Sequence, residues 1–237
     1  MDFSRASTLA DVRALQSVGS TFDVVDADAP DWTTWATLDQ TAGHGRIGRR
    51  WETPPGQALA VCTLVRPASG HTWAPLAVGL AVARTVTELI EGAAQVKWPN
   101  DVLVRSRKVS GILCRMQGDA IILGFGINLV QEPDALLPTA TSLRQEGATG
   151  SAQELADAVL AGVLEQLRSL VPRLESIGAD VAAACSTIGQ RVRVELPGGD
   201  ALIGTAVRLD SIGALVIDDG HREHTVTAGD IVHLRRA

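Results

Sequence analysis

The sequence contains almost no lysine. The chain has 237 residues and 21 basic side chains, yet Lys97 and Lys108 are the only lysines, and they lie 11 positions apart. Arginine is a broad planar fork, whereas lysine is a compact, strongly hydrated charge that can meet a phosphate or carboxylate at one point in a crowded pocket. The pair therefore indicates a binding pocket for an anion, unless compositional bias left two lysines that fell together by chance.

Cysteine and long apolar runs are also scarce. Cys62, Cys114 and Cys185 lie far apart with no CxxC pair, which argues against a disulfide framework or zinc site and favours a reducing cytoplasm. The first residues lack the basic start and apolar core of a signal peptide. The apolar runs near 74–83 and 157–164 are too short or too interrupted to cross a membrane. We therefore expect a cytoplasmic protein.

The charge balance argues against two classes of partner. The formal net charge is −6 with a pI near 5.3, so general binding to nucleic acid or to a membrane surface is not expected. Hydrophobic residues make up 46% of the chain and charged residues 20%, a composition typical of a folded protein with a proper core.

Hydrophobic periodicity predicts an α+β protein in two parts. Thr8, followed by Asp11, predicts a short helix over residues 9–15. Periodicity and turn residues predict the other elements of the first domain, residues 1–187, as helices at 73–91, 152–170 and 177–184 and strands at 33–38, 58–64, 96–98, 102–105, 108–115 and 120–129. These strands predict a mixed, mainly antiparallel sheet, with a hairpin turn near residues 106–107 and a loop over 131–150.

The pattern changes after Gly189. Apolar and polar residues alternate there, and glycine-containing turns interrupt them, for example at residues 211–213 and 218–220. Short strands at this spacing predict a small antiparallel barrel or sandwich over residues 188–237. Because so short a segment buries little surface alone, we expect it to pack on the first domain.

A glycine-rich loop, TAGHGRIGRRW, spans residues 41–51. Its glycines free backbone N–H groups to turn towards an anion, and its three arginines match phosphate geometry. The alternative is a mobile surface loop with solvated arginines. Trp51, at the end of the loop, offers a flat ring on which a base can stack, or it packs in the core.

Two further motifs place polar side chains at strand ends. WPND puts Asn100 and Asp101 after a rigid proline at the head of a hairpin, where they can orient a nucleotide or hold a hydrated Mg²⁺, or form a plain turn. GFGIN ends a buried strand at Asn128, which either faces a site or satisfies the strand end.

Together these motifs resemble the biotin protein ligase family. The matches run in order as GST at 19–21, QxxGxGRxGR at 40–49, Trp51, KWPND at 97–101, RKxxGIL at 107–113 and GFGIN at 124–128. The tail from IGQRVRVELPGG is similar to the Src-homology-3-like C-terminal domain of that family. The likeness covers about residues 15–235, and KWPND followed at this distance by RKxxGIL is its most specific part.

The resemblance implies a fold and a two-step reaction. The fold is a class II synthetase-like biotin/lipoate ligase catalytic domain followed by a small β-barrel. Biotin is first activated with ATP to biotinyl-5'-AMP, normally with Mg²⁺, and is then transferred to a lysine of the biotin carboxyl carrier domain of an acyl-CoA carboxylase. We further expect a monomer or weak homodimer that binds neither nucleic acid nor membrane.

The resemblance also assigns roles to residues. Lys108 meets the biotin carboxylate and the acyl-phosphate bridge, Arg46 holds the adenylate, and Asp101 serves the nucleotide and its metal ion. The remaining contacts to biotin or nucleotide are Ser20, Thr21, Gln40, Gly43, His44, Gly45, Trp51, Lys97, Asn100, Gly111 and Asn128. Two residues depart from the family pattern, since Phe22 replaces the usual asparagine and His44 the usual arginine.

The alternatives to a short biotin ligase are a form that binds an operator, a lipoate ligase or octanoyltransferase, and an impaired biotin-binding protein. Only 18 residues precede the GST motif, too few for a helix-turn-helix domain, so we expect a short form that does not bind an operator. A lipoate ligase or octanoyltransferase shares the fold, and a transferase of that kind needs a nucleophilic cysteine, whereas Cys114 lies inside an apolar strand. A catalytically impaired biotin-binding protein is the third alternative, motivated by Phe22 and His44.

Overall fold

The chain forms two main sheets, which differ in size and position along the chain, and a third sheet of only two short strands. The computed structural model describes residues 1–51, 54–195, 201–227 and 230–233. The helices and strands in chain order are β1 (Val12–Leu15), β2 (Thr34–Thr37), β3 (Gly43–His44), β4 (Arg50–Trp51), β5 (Ala58–Val65), α1 (Ala74–Leu89), β6 (Ala94–Lys97), β7 (Asp101–Val104), β8 (Arg107–Gln117), β9 (Ala120–Asn128), α2 (Ala152–Leu170), α3 (Gly178–Ala184), β10 (Arg191–Glu195), β11 (Ala201–Leu209), β12 (Leu215–Asp218), β13 (Glu223–Val226) and β14 (Asp230–His233).

The larger sheet has seven strands in the order β1-β2-β5-β9-β8-β7-β6. Only β1 and β2 pair in parallel, and the other neighbours are antiparallel. Helix α1 packs on this sheet and α2 packs on α1, so that the apolar face of the sheet and the helices share one core. The predicted α+β class with a mainly antiparallel sheet is confirmed.

Most predicted elements lie within two or three residues of the observed ones. Helix α2 begins at Ala152 because Ser151 and Glu154 form a capping box, in which each side chain bonds the backbone N–H of the other. The hairpin between β7 and β8 turns at Arg105 and Ser106, which both have positive φ angles, one residue before the predicted turn.

The predicted helix over residues 9–15 is wrong. A short 3-10 turn, Ala6–Thr8, precedes β1, which pairs in register with β2. Thr8 does not cap a helix, because its hydroxyl donates to the carbonyl of Arg5. The carboxylate of Asp157 on α2 accepts hydrogen bonds from the backbone N–H groups of Arg5 and Ala6, which fixes the turn on the core. Tertiary contacts therefore decide this segment against its local helix signal.

The smaller sheet has five antiparallel strands in the order β13-β12-β11-β10-β14. Two buried indoles join it to the rest of the protein, one from the turn before α1 and one from the connection between β6 and β7. The Trp98 Nε1–H donates to the Gly213 carbonyl and the Trp73 Nε1–H donates to the Ser211 carbonyl, both at 3.0 Å. The turn that follows β11 is therefore attached to the first domain, as the small size of this sheet led us to expect.

None of the helices in the described part of the chain combines the length and apolar character that a membrane crossing requires.

Candidate active site

A cavity of about 410 Å³ opens against strands β8 and β9. Leu123, Phe125 and Ile127 of β9 pack into the helix-side core. Because side chains alternate along a strand, Gly124 and Gly126 face the opposite side, towards the cavity. The volume lies in the range of small-molecule sites.

The glycines of these strands leave room for two aromatic rings. A Cβ atom added to Gly126 would lie 2.6 Å from Cε2 of Trp51, and one added to Gly124 would lie 2.4 Å from Cζ of Phe22. Gly111 pairs with Gly126 across β8 and β9. These rings and the bare backbone beneath them form a flat-walled slot, which larger side chains at the glycine positions would fill.

Lys108 projects into this slot. Its Nζ lies 2.6 Å from Oδ1 of Asp101 and 5.7 Å from the centroid of the Trp51 ring. A Cβ on Gly111 would lie 3.2 Å from the same Nζ. The ammonium group is therefore held at one point on the cavity wall by a carboxylate, a ring face and a glycine.

Lys97 adds a second cationic group to the cavity lining. Burial lowers the pKa of Lys97, the Asp101 carboxylate opposes that shift, and the positive charges of Lys108 and Arg49 lower the pKa further. A site in which cations disfavour one another's charged forms is stabilised when an anion binds between them. The two lysines of the sequence thus meet in one pocket.

Arg46 links the glycine-rich loop to the sheet. Its Nη1 donates to Oδ1 of Asn100 at 3.1 Å, and Nδ2 of Asn100 donates to the Ile112 carbonyl at 3.1 Å. Burial lowers the pKa of Arg46, and the Asp101 carboxylate opposes that shift. Asn100 therefore holds the loop guanidinium over the cavity.

Thr21 and Gln40 form the polar end of the cavity. Oε1 of Gln40 accepts the Thr21 N–H at 2.9 Å and its hydroxyl at 3.2 Å, while Oγ1 of Thr21 accepts from the Cys62 thiol at 3.3 Å. Ser20 is fully buried, and its Oγ caps the following turn by accepting the Phe22 N–H. The amide group of Gln40 is thus positioned from behind by Thr21.

Eleven of the 14 predicted site residues line the cavity. They are Thr21, Gln40, His44, Gly45, Arg46, Trp51, Lys97, Asn100, Asp101, Lys108 and Gly111. Ser20, Gly43 and Asn128 do not contribute to the lining. Asn128 is buried, where Nδ2 donates to the Thr141 carbonyl and Oδ1 accepts from Gln131.

Two residues beside the cavity escaped the sequence prediction. The Arg115 guanidinium lies 4.5 Å from the centroid of the Phe22 ring and Nη2 lies 3.1 Å from Nδ1 of His44, so it contacts both residues that depart from the family pattern. Glu195, at the end of β10, contributes to the lining from the smaller sheet. Strand periodicity could have suggested Arg115, whereas no local signal indicates Glu195.

The side chains around the cavity suit a metal ion only when the ion binds together with a nucleotide. Among the residues that the structure describes, no three metal-binding side chains cluster together, and one oxygen of Asp101 already contacts Lys108. Mg²⁺ at nucleotide sites commonly takes one or two carboxylates and completes its shell with phosphate oxygens and water. Asp101 fits that role but cannot form a cage for a resident ion by itself.

Comparisons with known proteins identify the family of this chain. Residues 27–130 match the Biotin/lipoate A/B protein ligase family model, and residues 187–234 match the model of the Biotin protein ligase C terminal domain. A biotin--[acetyl-CoA-carboxylase] ligase of Mycobacterium tuberculosis is 39% identical over 240 residues, covering 97% of this chain and 86% of the relative.

A second relative and a solved structure support the same assignment. A protein of the same name from Paracoccus denitrificans is 37% identical over 48% of this chain and 52% of its own length. The solved structure of biotin protein ligase from Aquifex aeolicus in complex with biotin and ATP superposes with a TM-score of 0.80 and 27% identity, covering 95% of this chain and 99% of that one. The chain therefore belongs to the biotin protein ligase family.

Proposed function

We propose that this protein is an ATP-dependent ligase that activates biotin as biotinyl-5'-AMP and transfers it to a lysine of a biotin carboxyl carrier domain of an acyl-CoA carboxylase. One observation carries the proposal: both lysines and Arg46 line a single cavity of small-molecule size, and glycines form part of its wall. The Mycobacterium and Paracoccus relatives carry the corresponding name, and the Aquifex enzyme holds biotin and ATP.

In the first step, an oxygen of the biotin carboxylate attacks the α-phosphorus of ATP, and pyrophosphate leaves. Both reactants are anions, so positioning and positive charge must supply most of the rate enhancement. We assign Lys108 to the developing acyl-phosphate bridge and Arg46 and Lys97 to the phosphates. Asp101 orients the Lys108 ammonium, and it would contribute one ligand to a Mg²⁺ ion that accompanies ATP, where the ion would neutralise phosphate charge.

In the second step, the amine of the carrier lysine attacks the biotinyl carbonyl. An amide bond forms and AMP leaves, so the enzyme needs no nucleophile of its own. The other residues are assigned to binding. Ser20, Thr21 and Gln40 are assigned to the ureido ring and its surroundings, and Trp51 is assigned to the wall beside the adenine. Gly43, His44 and Gly45 shape the loop, and Asn100 fixes Arg46. Asn128 lies outside the cavity and supports the site through its hydrogen bonds with Thr141 and Gln131.

The cysteines argue against an octanoyltransferase. The part of the cavity lining that the structure describes includes no cysteine. Burial raises the pKa of the Cys114 thiol to about 12, which leaves little thiolate near neutral pH. A transferase mechanism through Cys114 therefore lacks both the position and the ionisation state that it needs.

The domain division and the cellular setting complete the proposal. We assign residues 1–187 to catalysis and residues 188–237 to the small C-terminal barrel. The acidic net charge supports a ligase that works without nucleic acid or membrane, and the few unpaired cysteines support a cytoplasmic location. We further propose that it acts as a monomer or weak homodimer.

Pyrophosphate release distinguishes the candidate functions. Purified protein is mixed with MgATP and with biotin, lipoate or octanoate in parallel. We expect pyrophosphate release in the mixture that contains biotin and none in the mixtures that contain lipoate or octanoate. Release with lipoate instead would identify a lipoate ligase, and biotin binding without release would identify an impaired binding protein.

A further inference from the structure

The segment over residues 139–146 lies along the backbone of Lys108. The Lys108 N–H donates to the Thr139 carbonyl at 2.8 Å, and the Thr141 N–H donates to the Lys108 carbonyl at 2.9 Å. Lys108 and Ala140 thereby form a parallel bridge outside the named strands. Both backbone groups of the lysine are thus held by a segment more than 30 positions further along the chain.

Glu146 fixes that segment from the protein interior. Its side chain has no exposed surface. Oε1 accepts the Thr141 hydroxyl at 2.6 Å and Nη2 of Arg107 at 2.6 Å, and Oε2 lies 3.6 Å from Nη1 of Arg105. One carboxylate therefore joins Arg107, the neighbour of Lys108 on β8, to Thr141, the residue that holds the Lys108 carbonyl.

The buried charge is informative about the role of this contact. A carboxylate without access to water is costly unless cations and hydrogen bonds compensate it, and an apolar side chain would often stabilise the fold as well. A charged group gives directed contacts that fix one arrangement of the backbone. Here the fixed backbone carries Lys108, whose Nζ contacts Asp101 at the cavity.

We propose that Glu146 is a positioning residue for Lys108, acting through Thr141 and Arg107, in an inference that rests on the proposed ligase function. Glu146 itself does not line the cavity in the described part of the chain. Without its charge, the 139–146 segment loosens, and the Lys108 ammonium loses its fixed place opposite Asp101.

The test compares Glu146→Gln with Glu132→Gln, which removes an exposed charge from the same loop. We expect Glu146→Gln to lower kcat for biotin-dependent pyrophosphate release about tenfold or more, since small misplacements of a reacting group are costly. The KM for biotin should change far less, and Glu132→Gln should match the wild type. Hydrogen exchange at the amides of Lys108 and Thr141 should accelerate in Glu146→Gln alone, because those amides donate the two clamping bonds.

Thr141→Val provides a second variant, which removes only the hydroxyl that Glu146 accepts. If Glu146 acts through Thr141, the double variant should be no worse in kcat than Glu146→Gln alone. An unchanged kcat and unchanged exchange in Glu146→Gln, even with a lower melting temperature, would overturn the inference. Absence of release from the wild type would refute the ligase proposal instead, and the exchange measurement would then decide the role of Glu146 separately.

Discussion

Lys108 lies at the meeting point of the contacts that define the site. Asp101, the Trp51 ring and the bare backbone of Gly111 surround its ammonium, and the 139–146 segment holds its backbone. A lysine in so narrow a place acts as a point charge. The broader guanidinium group of an arginine would need more room than the bare backbone of Gly111 leaves open. The scarcity of lysine in the sequence thus corresponds to a specific geometric requirement.

Lys108→Arg tests that requirement. The charge is kept but its shape is changed, so we expect biotin-dependent pyrophosphate release to fall about tenfold or more because the cation no longer meets the reacting oxygens at one point. Steady-state pyrophosphate release measures the effect, and an unchanged melting temperature serves as the folding control. Activity near that of the wild type would mean that any cation suffices at this position.

Gly126, one of the glycines behind the slot, provides a second test. In Gly126→Ala, the new Cβ would overlap the Trp51 ring, and such overpacking costs about 1–3 kcal/mol. We expect weaker binding of ATP in a calorimetric titration, because the displaced Trp51 ring is assigned to the wall beside the adenine. The control is Gly79→Ala in α1, where the added Cβ meets nothing nearer than 3.5 Å and where alanine favours the helix. Equal ATP affinity in the two variants would show that Gly126 does not shape the nucleotide side of the site.

Sequence motifs predicted the residues that line the cavity better than the residues that other strands bring to it. The loop, KWPND and RKxxGIL motifs identified most of the lining because each motif is a short run of residues on one loop or strand. Arg115 and Glu195 were missed, and the motif left open whether Asn128 faces the site or satisfies the strand end, as the structure places it. Their positions depend on which strands become neighbours, and a local pattern does not contain that information.

At the scale of elements, local signals succeeded where they agreed with the packing. The helix over 152–170 was predicted correctly, since its apolar face and its cap point to the same boundaries. The helix over 9–15 failed because pairing of β1 with β2 overrides a weak local preference. The 131–150 loop was predicted as a connection, and its long-range hold on Lys108 became visible only in the structure.

The attachment of the second sheet rests on indole side chains next to α1 and β6. In Trp73→Phe, the ring loses the N–H that donates to the Ser211 carbonyl, and part of the buried volume is lost. We expect the free energy of unfolding to fall by about 1–3 kcal/mol, measured by chemical denaturation. The control is Ile212→Ala in the same turn, an exposed position that should change stability little. Equal stability of both variants would mean that the indole does not join the sheets.

At the scale of the whole molecule, residues of both sheets line the cavity. Glu195 brings the second sheet to the rim of the cavity, and the indole contacts fix its approach. The family relationship extends over both parts, because separate family models match residues 27–130 and 187–234. We therefore expect transfer to the carrier to need the full chain.

Transfer of biotin to a carrier lysine is the central claim, and intact-mass spectrometry tests it directly. A biotin carboxyl carrier domain is incubated with the full-length protein, biotin and MgATP. The predicted result is the gain of one biotinyl group by the carrier, absent without ATP and strongly reduced with Lys108→Arg. A carrier whose mass stays unchanged with the wild-type protein would contradict the assignment.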